Sequence, residues 1–263
     1  MKHIALEIRS NPGIIALMVL APSLILYVAW NVFLNLDMPS DGGAELAKAV
    51  PSFEVERALS ELQASLGSFI QDVAIEQSEA FGRGIKTTLI GVFLVMSILT
   101  ALTFGKAIST GTIIHDIGLV RDRRKVFIFR LAPLIIYSIL LASILTIGLA
   151  SIFPLTGVDA TKSDIMNLLI ALMLSSFWGI FLSAILSTTS KEYAYSILGS
   201  FAVAGIFLAI EDVGEVLFPF FKLLIWLSSS GQEPMGSWAT IGLSLFILSP
   251  ALALRTFERG DYY

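Results

Sequence analysis

Residues 87–105, which read TTLIGVFLVMSILTALTFG, decide the fold, because none of them carries a charge. A helix needs about 20 mostly apolar residues to cross the hydrocarbon core of a bilayer, so this segment predicts a transmembrane helix. We therefore expect one transmembrane domain over residues 1–263 with six such helices. The other five uncharged stretches lie at about 14–36, 131–154, 165–186, 193–210 and 236–254.

The composition of the whole chain agrees with this prediction. Of its 263 residues, 56% are hydrophobic and 14% are charged. Soluble globular domains carry about 25% charged residues, so a water-soluble fold is excluded. A transmembrane β-barrel would show alternating segments of about 10 residues, which this sequence lacks. The sequence predicts an all-α polytopic membrane protein that contacts the lipid bilayer, and no nucleic-acid partner is expected.

The distribution of Lys and Arg predicts the orientation. With the N-terminus in the cytoplasm, 11 of the 17 basic residues fall on the inner side and six on the outer side. Cytoplasmic loops carry an excess of Lys and Arg, so we expect a multi-pass cell-membrane protein with both termini in the cytoplasm. The inner basic residues are Lys2, Arg9, Lys106, Arg121, Arg123, Arg124, Lys125, Arg130, Lys191, Arg255 and Arg259.

The outer segment after the first span, residues 37–86, predicts an amphipathic helix. Between Phe53 and Ala80, apolar residues recur in steps of three and four, and acidic residues occupy the other side. The helix could gate a substrate or dock an external partner, although such stripes more often pack on the membrane face or on a second copy. The stripe consists of Val55, Leu59, Leu62, Leu66, Phe69 and Val73.

Residues 211–233, before the last span, predict a re-entrant helical hairpin on the outer face. The largely apolar run from Val216 to Leu227 is interrupted by Pro219 and Lys222. It is too short to cross the membrane, because apolar stretches of about 10–14 residues more often enter and return or lie at the interface.

The cytoplasmic loop between the second and third spans, residues 106–125, is dense in charge. We expect Thr112 to cap a short helix. Its apolar ridge and the basic run after it could dock a cytosolic protein, or the basic run could fix the topology and bind anionic lipid headgroups. The ridge consists of Ile113, Ile114, Ile117 and Val120, and the basic run of Arg121, Arg123, Arg124 and Lys125.

Small residues in the fifth span predict close packing against a second copy in the membrane. Several of them can share a helix face, and small residues allow helix backbones to approach closely. These candidates for the dimer contact or the transport pathway are Gly199, Ala202, Ala204 and Gly205.

Residues that would support enzymatic chemistry are missing from the sequence. The chain has no phosphate-binding G-x-x-x-x-G-K-[ST] motif, so we do not expect it to hydrolyse ATP by itself. Its two histidines, His3 and His115, are isolated, and no cysteine is present to bind a metal. No His, Lys, Asp or Glu lies within a span, which argues against an intramembrane enzyme and a proton-coupled carrier. We expect no enzyme, no metal and no cofactor in this chain.

Three short motifs lie outside the predicted spans, at or near their ends. The first is ALEIRSNP at residues 5–12, followed by a span that contains a proline. The second is Gly111-Thr112 with the basic run behind it, and the third is FERGDYY at residues 257–263. Together with six spans and inner termini, these motifs resemble the type-2 family of permease subunits of ATP-binding-cassette (ABC) transporters. That family often carries Gly-Thr-x-Glu, where this chain has Ile114 in place of Glu and Asp116 two residues later.

The resemblance implies a half-transporter that forms the membrane pathway with a second copy or a related permease. A separate cytosolic ABC ATPase would bind ATP and Mg²⁺ and drive the transport, and the resemblance implies that this transport is the export of an amphipathic cargo. The resemblance places the contact with this ATPase at Glu7 and Arg9 and in the loop after the second span, at Thr112, Ile113, Ile114, Asp116, Ile117, Val120, Arg121, Arg123, Arg124 and Lys125.

Two other classes of protein remain open at this point. A membrane scaffold or assembly protein would purify without an ATPase. A stand-alone secondary carrier would transport its substrate in liposomes without ATP. Fold alone does not decide among these classes, because one fold can serve several functions.

Overall fold

The computed structural model describes residues 12–34, 84–156, 160–209, 219–228, 237–260 and 262. These ranges form eight helices and contain no strand. The helices are α1 (Pro12–Leu34), α2 (Gly84–Ser109), α3 (Thr112–Val120), α4 (Arg123–Ile152), α5 (Lys162–Ser190), α6 (Tyr193–Ala209), α7 (Phe220–Ser228) and α8 (Ser237–Arg259).

Five of these helices, α1, α2, α4, α5 and α8, are long and apolar enough to cross a membrane. The all-α prediction is confirmed for the described residues, five of the predicted spans are helices of the length and polarity that a span needs, and the chain is a polytopic membrane protein. The predicted span at 193–210 differs from them. The described part of its helix, α6, has 17 residues and is apolar, and residue 210 lies outside the described ranges.

The helices alternate in direction, so the start of α1 and the end of α8 lie at the same end of the bundle. Helices α2, α5 and α8 run parallel to one another, α1 and α4 run the opposite way, and α6 turns back along α5. The contacts that define these directions are Leu89 with Ser175 and Ser97 with Gly179 for α2 and α5, Trp178 with Phe246 and Thr188 with Thr256 for α5 and α8, and Met18 with Tyr137 and Leu26 with Gly148 for α1 and α4.

Serine hydroxyls join α2, α5 and α6 at the centre of the bundle. The Ser175 hydroxyl donates to the Leu89 carbonyl oxygen at 2.7 Å, and the Ser183 hydroxyl to that of Ser97 at 2.9 Å. On α6, the Ser196 hydroxyl donates to the Ser183 carbonyl oxygen at 3.0 Å. Small side chains let these helices approach, and each hydroxyl is satisfied by a backbone acceptor on a neighbouring helix.

Helix α2 contains a π-helical segment, Ala101–Gly105, just before it ends. The segment is buried except at Leu102, and its Phe104 is fully enclosed. A Cβ at Gly105 would stand 2.6 Å from the Ser187 hydroxyl oxygen on α5, so this approach requires glycine. Single π turns inside α-helices are frequent at functional sites, and this one leads directly towards α3.

Helix α7 begins deep beside α8. Pro219 and Phe220 are buried, and the Phe220 ring centroid lies 5.3 Å from that of Phe246. Phe246 is nine residues after Ser237, the first described residue of α8, and so lies about 14 Å along the helix from it at 1.5 Å per residue. This depth is what a re-entrant segment over 211–233 would give, but only residues 219–228 of it are described.

Several predicted features lie outside the described residues. These are the N-terminal residues Glu7 and Arg9, the amphipathic helix predicted within 37–86, and residues 211–218 and 229–233 of the predicted hairpin.

Candidate functional site

Among the described residues, the richest cluster of charged contacts lies at the end of the bundle where α1 starts and α8 ends, which we call the basic end. It consists of the end of α2, α3, the first two turns of α4, the turn between α5 and α6 and the end of α8. Its Lys and Arg residues are Lys106, Arg121, Arg123, Arg124, Lys125, Arg130, Lys191, Arg255 and Arg259. Elsewhere in the described ranges, only Lys86, Lys162 and Lys222 are basic.

A glycine starts α3 at the basic end. Gly111 adopts φ 72°, in the left-handed region that favours glycine, and its carbonyl oxygen accepts from the Ile114 N–H at 3.0 Å. Thr112 is the first residue of the helix and makes no capping bond, so the prediction that it caps α3 is wrong. Its hydroxyl instead lies 2.9 Å from the Thr110 hydroxyl.

The predicted apolar ridge of α3 is divided between two faces. Ile113 is fully buried in the core of the bundle, and Ile117 is half-buried. Ile114 and Val120 are 38% and 36% exposed, and Leu119, which the sequence analysis did not single out, is 64% exposed. The expectation of one ridge free for a partner is therefore wrong, because Ile113 already packs inside the protein. The exposed apolar residues of α3 are Ile114, Leu119 and Val120.

An ion pair fixes α3 to α4. The Arg130 guanidinium donates to one Asp116 carboxylate oxygen from Nε at 2.9 Å and from Nη2 at 2.6 Å. The side chain of Arg130 is 4% exposed and that of Asp116 is 19% exposed. Removing one member of such a buried pair costs about 3–5 kcal/mol, so the pair holds α3 in one position. Asp116 was predicted to lie at an interface with another protein, and in the structure its partner is Arg130 of the same chain.

Two arginines of the basic run join α4 to the last turn of α8. Asp122 caps α4 by accepting from the Arg124 N–H at 3.0 Å. Arg123 donates from Nη1 to the Glu258 carbonyl oxygen at 2.5 Å and to that of Gly260 at 3.1 Å. Arg124 pairs with the Glu258 carboxylate. A cation on the carbonyls that end a helix also stabilises its dipole, so α8 is held at its negative end.

Aromatic side chains fill the space beneath these arginines. The Phe104 ring centroid lies 5.7 Å from that of Phe127 and 5.5 Å from that of Phe257. Tyr262 lies 5.2 Å from Phe257 on the other side, and its hydroxyl donates to the Phe257 carbonyl oxygen at 2.8 Å. Burial raises the pKa of Tyr262 far above its ordinary value, and the charge of Arg123 only partly opposes this. The FERGDYY motif at residues 257–263 thus includes two buried rings that close the basic end.

The four predicted basic residues separate into two kinds. Arg123 and Arg124 bind the end of α8, although the Arg124 side chain is 69% exposed, and Arg121 and Lys125 are exposed as well. Lys125 lies 3.7 Å from an Asp122 carboxylate oxygen, a surface pair that contributes little. Arg121 and Lys125, with the exposed apolar residues of α3, form the outward surface of the basic end.

The four small residues predicted to pack in the membrane also occupy different environments. A Cβ at Gly199 would meet Leu186 of α5 at 2.7 Å, and Ala204 is buried. Ala202 and Gly205 are exposed and lie three residues apart on the outer face of α6. Only these two are available for contact with another chain.

The fold and the basic end define a polytopic α-helical membrane protein whose short helix α3 is fixed outside its spans. Comparison with family models, with curated proteins and with solved structures finds no match to this chain. Within the described ranges, no three His, Asp or Glu residues lie together in a group that could hold a metal ion.

Proposed function

We propose that this protein is the permease subunit of an ABC transporter, an exporter driven by a separate cytosolic ATPase that docks on α3. The observation that carries the proposal is the two-sided environment of α3. Its inner side is fixed by Ile113 and by the pair of Asp116 with Arg130, while Leu119 on its outer side is 64% exposed.

The position of α3 supports this proposal. It follows the end of α2 and precedes α4, so a force on α3 acts on two membrane helices. It also lies at the end of the bundle that is rich in Lys and Arg, which by charge is the cytoplasmic end. The motif Gly111-Thr112 at its start and FERGDYY at the end of the chain add the family resemblance. ATP and Mg²⁺ would be bound by the ATPase.

The transport step follows from these connections. Closure of the ATPase pair would push α3, and the rigid contacts of α3 would rock the bundle from inward-open to outward-open. A second copy or a related permease would complete the pathway, with Ala202 and Gly205 on the exposed face of α6 as candidate contacts. The spans contain no Asp, Glu, Lys, Arg or His between 131 and 152 or between 165 and 190, which suits an amphipathic or lipid-like cargo.

The experiment is to purify the tagged protein from its native membranes in mild detergent, identify any co-purifying protein that carries a phosphate-binding motif, and measure ATP hydrolysis. We expect Leu119→Asp to reduce the retained ATPase about thirtyfold, because truncating a desolvated apolar anchor costs about 2 kcal/mol. Arg121→Ala should reduce it only modestly, since exposed charges contribute little. Ile113→Asp is unsuitable as a probe, because Ile113 is buried.

The matched control introduces the same type of charge, a carboxylate, at the opposite end of the bundle. Ser163→Asp introduces a carboxylate at an exposed position at the start of α5 and should retain full ATPase activity. Transport in liposomes without any ATPase would show a stand-alone carrier. A purified protein with neither an ATPase nor transport activity would show a scaffold. A greater loss with Arg121→Ala than with Leu119→Asp would favour lipid binding at the basic run.

A further inference from the structure

We infer that the first two turns of α4, residues 123–130, rigidly connect α3 to the last turn of α8, and that Arg123, Glu258 and Tyr262 are positioning residues for α3. The inference rests on the proposed function for its role, because the ATPase would supply the displacement of α3. The connection itself is a property of this chain alone.

One end of the connection is the pair of Asp116 with Arg130. Arg130 is 4% exposed and holds a single Asp116 carboxylate oxygen from two nitrogens, so the geometry of the contact is fixed in two directions. Because Arg130 lies two turns into α4, α3 cannot move away from α4 without exposing or separating this pair.

The other end of the connection is the double contact of Arg123. Its Nη1 reaches the carbonyl oxygens of Glu258 and Gly260, and its Cζ lies 5.8 Å from the centroid of the Tyr262 ring. The carboxylate of Glu258 pairs with the adjacent Arg124. The end of α8 is therefore expected to move together with the first turn of α4.

Packing makes the two ends act together. Phe127, which lies between Arg123 and Arg130 on α4, contacts Phe104 of α2 and Phe257 of α8, the latter at 5.5 Å between ring centroids. Close-packed interiors transmit strain, because displaced rings meet other atoms at once. A displacement of α3 would thus reach α8, and α8 would carry it to α5 along their shared length.

The test uses the purified chain alone and follows hydrogen exchange of backbone amides by mass spectrometry. We expect Asp116→Asn to speed exchange in α3 and, by about tenfold, in residues 255–260 at the end of α8, although the partner of Asp116 lies on α4. Asp116→Glu, which keeps the carboxylate, should restore protection at both places. Asp164→Asn is the matched control, because it removes a carboxylate from the capping box of α5 and should leave residues 255–260 unchanged.

Faster exchange confined to α3 in the Asp116→Asn protein would overturn the inference. If that protein loses protection throughout, the connection is measured from its other end with Arg123→Ala. Faster exchange in α3 then supports the connection, and unchanged exchange in α3 overturns it. These results do not depend on an ATPase. A chain that shows the connection but binds no ATPase would therefore contradict the proposed function and leave the connection intact.

Discussion

Gly179 on α5 lies against the backbone carbonyl oxygen of Phe93 on α2, so that a Cβ on Gly179 would stand 2.5 Å from that oxygen. The same approach brings the Ser97 hydroxyl within 3.2 Å of the Gly179 carbonyl oxygen, to which it donates. The distance between α2 and α5 at the centre of the bundle is therefore set at Gly179, which has no side chain.

Gly179→Ala should therefore destabilise the protein, since overpacking of a close-packed contact costs about 1–3 kcal/mol. The measurement is the thermal unfolding temperature in detergent. Gly118→Ala is the matched control, because no atom lies within 4 Å of a Cβ at this exposed glycine of α3. Alanine there should be neutral or stabilise by up to about 1 kcal/mol. Equal unfolding temperatures for Gly179→Ala and the native protein would contradict this account of the α2–α5 contact.

Docking of the C-terminal tail should weaken at alkaline pH. Burial raises the pKa of Tyr262 above its ordinary value of 10.0, so the folded state holds the phenolic proton more tightly than the unfolded state. The stabilisation is therefore complete below about pH 10 and is lost as the pH rises above it.

Tyr262→Phe tests this dependence, because phenylalanine keeps the ring and has no proton to lose. At pH 8 the variant should be less stable by about 1 kcal/mol, the typical contribution of a lost hydrogen bond. The difference in unfolding temperature between the two proteins should shrink as the pH rises from 9 to 11. A difference that stays constant over this range would mean that Tyr262 is not buried in the folded protein.

Single cysteines should test the orientation, because the chain contains none of its own. Leu119→Cys on α3 and Ser163→Cys at the start of α5 both occupy exposed positions at opposite ends of the bundle. In intact cells, a membrane-impermeant maleimide should label Ser163→Cys at once and Leu119→Cys only after permeabilisation. The opposite result would reverse the proposed orientation, and labelling of both in intact cells would contradict the arrangement of the helices.

The outer face of α6 should lie near the same face of a second copy if the transporter is a dimer of this chain. Gly205→Cys, at an exposed position, should then form a cross-linked dimer on mild oxidation in membranes. Ala204→Cys is the matched control. Ala204 is buried within its own chain, so this variant should remain monomeric. If neither variant forms a cross-linked dimer, the outer face of α6 contacts lipid or a related permease, and a homodimer through α6 is contradicted.

Hydropathy predicted the helices well because the bilayer imposes one length and one polarity on every span. It placed the start of the third span at residue 131, whereas α4 starts at Arg123. The charged first turns of α4 are helical because Asp122 caps them and because Arg123 and Arg130 find partners on other elements. A hydropathy window excludes such turns, because charged residues lower the mean hydropathy of the window.

The candidate site was predicted as a segment but not as an arrangement. The loop after α2 was located from its charge, yet the partner of Asp116 lies on another helix, and Glu258 lies 135 residues from Arg123. No local pattern reports contacts of this range. The phase of α3 was missed for the same reason, because whether Ile113 or Leu119 faces the bundle depends on how Gly111 and the Asp116–Arg130 pair set the helix against α4.

The serine bonds at the centre of the bundle also bear on how the protein is made. The hydroxyls of Ser175 and Ser183 reach carbonyl oxygens on α2 that precede them by 86 residues. At a synthesis rate of about 5–20 residues per second, each acceptor on α2 is made roughly 4–17 s before its donor. The backbone carbonyls within a membrane helix already accept hydrogen bonds from N–H groups of the same helix. Helix α2 can therefore reside in the bilayer before α5 is made without leaving these carbonyls unsatisfied. The departure of α5 from the ribosome then sets the earliest moment at which the centre of the bundle can close.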